Sequence, residues 1–131
     1  MKLGFVSAIL ADWTFEEMID TAAAMGYRCV EVACWPVGRS ERRYAGVSHI
    51  DVDSLTDEKA AYLLDYCHKR NVEISALAYY PNPLDTDPAK RAAVQEHLKK
   101  VIAASAKLGV NLVTTFIGRD QHKTVEENLE L

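Results

Sequence analysis

The run Gly26-Tyr27-Arg28-Cys29-Val30-Glu31-Val32-Ala33-Cys34 joins two kinds of hydrophobic periodicity. Upstream, Phe15, Met18, Ile19 and Ala22 recur at i, i+3, i+4 and i+7, the stripe of one helix face. Thr14 and Glu17 before it have capping-box spacing. Gly26 stops that helix, because glycine alone reaches left-handed φ without a Cβ penalty. Downstream the period becomes two. Val30 and Val32 fall on one face, with Cys29, Glu31 and Ala33 on the other. In a barrel strand the two valines would face the helices and Glu31 the lumen.

The same unit repeats on both sides of this run. Residues 3–7 are short and apolar and read as a strand before the first helix. After the second strand, residues 56–70 read as a helix with Ala60, Leu63, Leu64 and Cys67 as its buried stripe. Residues 72–80 read as the third strand. Asp87-Pro88 supplies a cap and a first helical residue. The helix that follows turns Val94, Leu98, Val101 and Leu108 inward and stops at Gly109. Residues 112–117 read as a fourth strand, and the Thr124/Glu127 pair caps a helix starting at Val125. The helix-to-strand joints near Gly26, Asn71 and Gly109 recur about every 40 residues.

Strand-helix alternation of this kind gives an α/β domain with a parallel sheet and crossover helices. A full (β/α)8 barrel takes eight units and roughly 250 residues, and the chain has 131 residues, about half. The expected fold is the first four βα units of a TIM barrel, a half-barrel forming one domain over residues 1–131. The capped last helix is cut short, so a piece of a longer chain is expected. A half-barrel that pairs with a copy of itself and an open-sheet domain are the alternatives. A half-barrel alone leaves two strand edges unpaired, which favours a homo-oligomer.

Composition narrows the function classes. Hydrophobic residues make up 49% and charged residues 26%, the balance of a globular protein. A net charge of -4 without a basic block argues against nucleic acid as a partner. No apolar run reaches the roughly 20 residues of a membrane span. The apolar start after Lys2 is broken by Gly4 and Ser7 and lacks a clear small-residue cleavage site, unlike a secretory signal. Three cysteines, Cys29, Cys34 and Cys67, have no Cys-x-x-Cys spacing, so buried free thiols and a cytoplasmic setting are expected.

In a barrel, chemistry sits at the C-terminal ends of the strands. That rule picks residues 7–13, 34–55, 79–86 and 118–123. The second stretch is long for a βα connection, as binding loops often are. Trp35 offers an apolar wall for a sugar ring, or packing between the strand end and the loop. Arg39, Arg42 and Arg43, beside Tyr44, offer bidentate contacts to phosphate or a solvated face. His49, Asp51 and Asp53 alternate as donors a divalent ion accepts, though this spacing is not specific. His49 suits contact with substrate better. In the third stretch Tyr79 and Asn82, stiffened by Pro81 and Pro83, suit hydroxyl recognition or a turn that redirects the chain. In the fourth, Gly118 permits close backbone approach, and Arg119 suits an anion or a pairing with Asp120 or a neighbouring loop. Glu31 reads as a supporting lumenal carboxylate held by hydrogen bonds. His97 and His122 have no evident partners.

Several of these segments carry a family resemblance. Gly26-Tyr27-Arg28-Cys29-Val30-Glu31-Val32 resembles the second-strand pattern of xylose isomerase-like barrels. Ala106-Lys107-Leu108-Gly109-Val110 is similar to that family's helix-glycine-strand joint. Cys34-Trp35-Pro36-Val37-Gly38, Tyr79-Tyr80-Pro81-Asn82-Pro83 and Thr115-Phe116-Ile117-Gly118-Arg119 resemble the sugar phosphate isomerase/epimerase branch. The resemblance implies an isomerase or epimerase that moves a proton beside a carbonyl. It implies a divalent metal, Mn2+, Mg2+ or similar, held by carboxylates and a histidine on later strands that are not in this chain. No catalytic residue and no metal ligand is therefore expected here. The expected contribution is pocket wall: Trp35, His49, Tyr79, Asn82 and Arg119 binding a small sugar or sugar phosphate, with Glu31 in support. An abasic-site endonuclease of the same fold and a non-catalytic binding or dimerisation module are the competing readings.

Overall fold

The computed structural model describes residues 1–38 and 45–130. Strand β1 (Gly4–Val6) runs into a single 3-10 turn over Ser7–Ile9 and then helix α1 (Phe15–Ala24). Strand β2 (Cys29–Ala33) precedes α2 (Asp57–Lys69), β3 (Glu73–Ala78) precedes α3 (Pro88–Lys107), and β4 (Val113–Thr114) precedes α4 (Val125–Leu129). The strands form one parallel sheet in chain order β1-β2-β3-β4. This is the half-barrel expected from the alternation. Among the described residues, no helix is long and apolar enough to cross a membrane.

Local chemistry sets the boundaries. Thr14 Oγ1 accepts the Glu17 N–H at 3.1 Å, and Glu17 Oε2 accepts the Thr14 N–H at 2.8 Å, closing the capping box of α1. Thr124 and Glu127 repeat that box on α4. Asp87 accepts from the Ala89 N–H at 2.9 Å, with Pro88 as first residue of α3. The three helix-to-strand joints, Gly26, Asn71 and Gly109, take positive φ of 82°, 54° and 64°. Each turns the chain from helix to strand at the same point of its unit.

The helix-facing side of the sheet carries the core. Val30, Val32 and Leu77 pack with Met18, Ile19, Leu63 and Val101, all at most 1% exposed. Burying each of the larger side chains contributes about 1.5–3 kcal/mol. Leu64, expected in the α2 stripe, is 39% exposed. One helical step from Leu63 carries it to the flank, where it lines an open crevice with Cys67, Val72 and Leu108. The fourth strand is also shorter than expected, two residues in place of 112–117. It lies at the edge of the sheet, where hydrogen bonds on one side alone define it.

The pairing of β2 with β3 contains an irregularity. Val30 lies opposite Ile74, but Glu31 lies opposite Ala76, so Ser75 is an extra residue in β3. Beyond it, Ala33 pairs with Ala78 and Ala78 with Thr114. The lumen-facing row across β2, β3 and β4 is therefore Glu31 and Ala33, Ala76 and Ala78, and Thr114.

Candidate functional site

At the C-terminal ends of β2, β3 and β4 the chain leaves the sheet through Trp35, Tyr79, Tyr80 and Phe116. Trp35 is buried; its ring meets Tyr79 edge-on at 5.6 Å and Tyr80 at 5.7 Å. Tyr80 continues the cluster to Phe116 at 5.0 Å, which is 60% exposed. Tyr79 and Tyr80 part company across the sheet. Tyr79 turns to the helix layer and packs on His97 of α3 at 4.6 Å, and burial pushes its phenol pKa up. Tyr80 turns to the lumen.

Tyr80, two residues past β3, joins a polar group with Glu31 of β2 and Thr114 of β4. The Tyr80 hydroxyl donates to Glu31 Oε1 and lies 2.9 Å from Thr114 Oγ1. Burial first, and the Glu31 hydrogen bond second, raise the Tyr80 pKa and keep its proton in place. Glu31 is thus held by a hydrogen bond on the lumenal face. Tyr80 and Thr114, unlike Glu31, did not stand out in the sequence.

His49 sits in the loop that follows β2, folded back against it. The His49 N–H donates to Ala33 O at 2.9 Å, and Cys34 forms an antiparallel bridge with Ser48. Its Nε2 lies 3.1 Å from the Leu10 carbonyl, which only accepts, so that nitrogen carries the proton. Nδ1 then accepts from Ser7 Oγ at 2.9 Å, and Ser7 Oγ accepts from the Ala33 N–H at 2.8 Å. Burial lowers the His49 pKa and favours this neutral ring. His49 therefore ties the rim of β1 to that of β2, with both ring nitrogens engaged inside the chain.

Asn82 does the same between β3 and β4. Its Nδ2 donates to Arg119 O at 2.8 Å and its Oδ1 accepts the Leu84 N–H at 2.9 Å. Gly118 makes this possible: at φ 66°, an added Cβ would lie 1.9 Å from Asn82 Oδ1. The Arg119 side chain is exposed on the rim. His97, without an evident partner in the sequence, places its Nε2 2.8 Å from Cys34 O and anchors α3 under the end of β2. Its position between Val94 and Val101 on the inward stripe was the signal available.

The His49, Asp51 and Asp53 alternation does not converge. Asp51 binds the Asp53 N–H and Ser54 Oγ, and Asp53 pairs with Lys100 at 2.6 Å. Among the described residues, no group of three His, Cys, Asp or Glu is placed to hold a metal ion. Arg39, Arg42, Arg43 and Tyr44 lie outside the described residues. The thiols of Cys34 and Cys67 are free and pushed by burial to about 12 and about 11, so they remain protonated.

Taken together, the rim presents flat aromatic faces beside hydrogen-bonding oxygens, a combination suited to polyhydroxylated ligands. The sequence profile of a family described as xylose isomerase-like TIM barrel matches residues 19–131. No curated protein sequence matches. Among solved structures, a D-psicose 3-epimerase in the presence of D-fructose superposes with a TM-score of 0.62 at 18% identity, over 95% of this chain. A D-psicose 3-epimerase with D-tagatose from Clostridium cellulolyticum H10 gives 0.60 at 17% identity, also over 95% of this chain. The probable 3-DHS dehydratase AsbF of Bacillus anthracis, involved in petrobactin synthesis, gives 0.66 at 11% identity over 99% of this chain. The chain spans 42% of each epimerase and 43% of the dehydratase. At these identities the likeness establishes the shared fold.

Proposed function

Because the chain belongs to the xylose isomerase-like TIM barrel family, we propose that it forms part of the substrate pocket of a sugar or sugar phosphate isomerase or epimerase. The reaction class is proton transfer beside a carbonyl, with a small sugar as partner and the cytosol as setting. The observation that carries this reading is the rim itself: Trp35, Tyr80 and Phe116 clustered above Glu31 and Thr114. Aromatic rings pack on the C–H faces of sugars, and oxygens in the lumen meet their hydroxyl groups. Arg119 and Trp35 serve as pocket wall. His49, Tyr79 and Asn82 act largely by holding the rim in shape, and Glu31 fixes the orientation of Tyr80.

The divalent metal implied by the family finds no fitting donor set among the described residues. What this half contributes is binding, orientation and the exclusion of water from one side of the lumen.

The test is to incubate the intact barrel, with the later strands that would carry the metal, with Mn2+ and a panel of ketoses in deuterium oxide and follow label at the carbon beside the carbonyl. Deuterium incorporation into at least one sugar is the expected result. No exchange with any sugar, together with cleavage of abasic DNA, would replace this reading with the phosphodiesterase alternative.

A further inference from the structure

We propose that the Glu31–Tyr80–Thr114 chain is a recognition site built from hydrogen-bond acceptors, selecting the hydroxyl groups of a neutral, unphosphorylated sugar. The inference rests on the sugar-pocket reading above and specifies the ligand of that same site.

The number of available protons fixes the direction of the chain. A carboxylate has acceptor oxygens only, and a phenol has one proton. The Tyr80 proton therefore goes to Glu31 Oε1. The 2.9 Å contact between Tyr80 and Thr114 must then be made with the threonine proton. The other acceptor near Thr114 Oγ1, Leu77 O, is at 3.4 Å and competes poorly. The chain thus runs in one direction, from Thr114 through Tyr80 to Glu31, and spends both hydroxyl protons internally.

Two lone pairs on Thr114 Oγ1 remain, and Glu31 retains acceptor capacity, since a carboxylate takes about four hydrogen bonds. Each is an acceptor, so the complementary ligand brings donors. Sugar hydroxyls do so. A phosphate dianion placed there brings acceptors and negative charge, and the Glu31 carboxylate repels it. The partly exposed aromatic ring of Phe116, 5.0 Å from Tyr80, bounds the same spot and suits the C–H face of a sugar.

The experiment titrates the chain with D-fructose and, separately, D-fructose 6-phosphate, following the Thr114 amide and the Trp35 indole N–H by NMR. Saturable shifts with D-fructose are expected, with D-fructose 6-phosphate binding at least about tenfold more weakly. Glu31→Gln, close to isosteric, should weaken D-fructose by about tenfold and bring the two ligands to near-equal affinity. A merely structural role for Glu31 would not change that ratio. Thr114→Val should lose D-fructose binding and Thr114→Ser should keep it, each variant first checked for the wild-type pattern of backbone shifts. Equal or tighter binding of D-fructose 6-phosphate to the wild type overturns the inference while leaving the sugar pocket intact, as does an unchanged ratio in Glu31→Gln. Absence of shifts with either sugar overturns both the inference and the pocket reading.

Discussion

At the scale of single residues, two side chains show how much a neighbour decides. Tyr79 and Tyr80 are adjacent and chemically identical, yet one packs against His97 and the other caps Glu31. His49 reads in the sequence as a residue for substrate contact, and in the fold its ring is a neutral tie between Ser7 and the Leu10 carbonyl. That tie makes stability depend on pH. Burial holds the folded pKa of His49 below its ordinary 6.5, so the unfolded chain binds the extra proton first. The contribution is complete above about 6.5 and declines as pH falls from there through the depressed folded value. Urea midpoints at pH 7.5 and 5.5 should therefore fall further in the wild type than in His49→Gln. Equal falls in the two proteins would remove His49 as the cause.

At the scale of elements, the helices are defined by their ends more sharply than by their faces. Helix α1 begins in a reciprocal box between Thr14 and Glu17, with Glu16 and Glu17 in the first turn complementing the helix dipole. Thr14→Ala leaves the Glu17 N–H to water and should cost about 1 kcal/mol, read by urea unfolding. Thr14→Ser should retain most of that stability, because its hydroxyl accepts the same bond. Helix α3 is less tied to its inward stripe: Val94 and Leu98 are only partly buried, while Val101 and Leu108 are fully so. His97, midway along the helix, compensates by bonding Cys34 O at 2.8 Å. That polar contact joins the middle of a 20-residue helix to the end of β2.

At the scale of the whole molecule, four strands leave a curved sheet with an open lumenal face. Val6, Leu112 and Phe116 on that face, and Ile117 beyond it, are 39%, 54%, 60% and 81% exposed. The outer edges of β1 and β4 have no strand neighbour among the described residues. Exposed edges beside apolar side chains drive association. The weight-average mass of this chain in sedimentation should rise with concentration, and Ile117→Lys, at the end of the open edge, should reduce that rise. A monomer at all concentrations, unaffected by the substitution, would show that the open face is tolerated alone.

The amino-acid order by itself determined the βα repeat, the helix caps and the joints at Gly26, Asn71 and Gly109, because each depends on contacts a few residues apart. It also placed Val30 and Val32 toward the helices and Glu31 toward the lumen, since alternation within one strand is local. Which tyrosine reached the lumen was a tertiary decision. The extra residue Ser75 shifts the pairing of β3 against β2 and inverts the parity of all that follows. Without that bulge Tyr79 would share the face of Glu31; with it, Tyr80 does. Register between strands is set by packing across the sheet, over 49 residues in the case of Glu31 and Tyr80, and no local pattern encodes it.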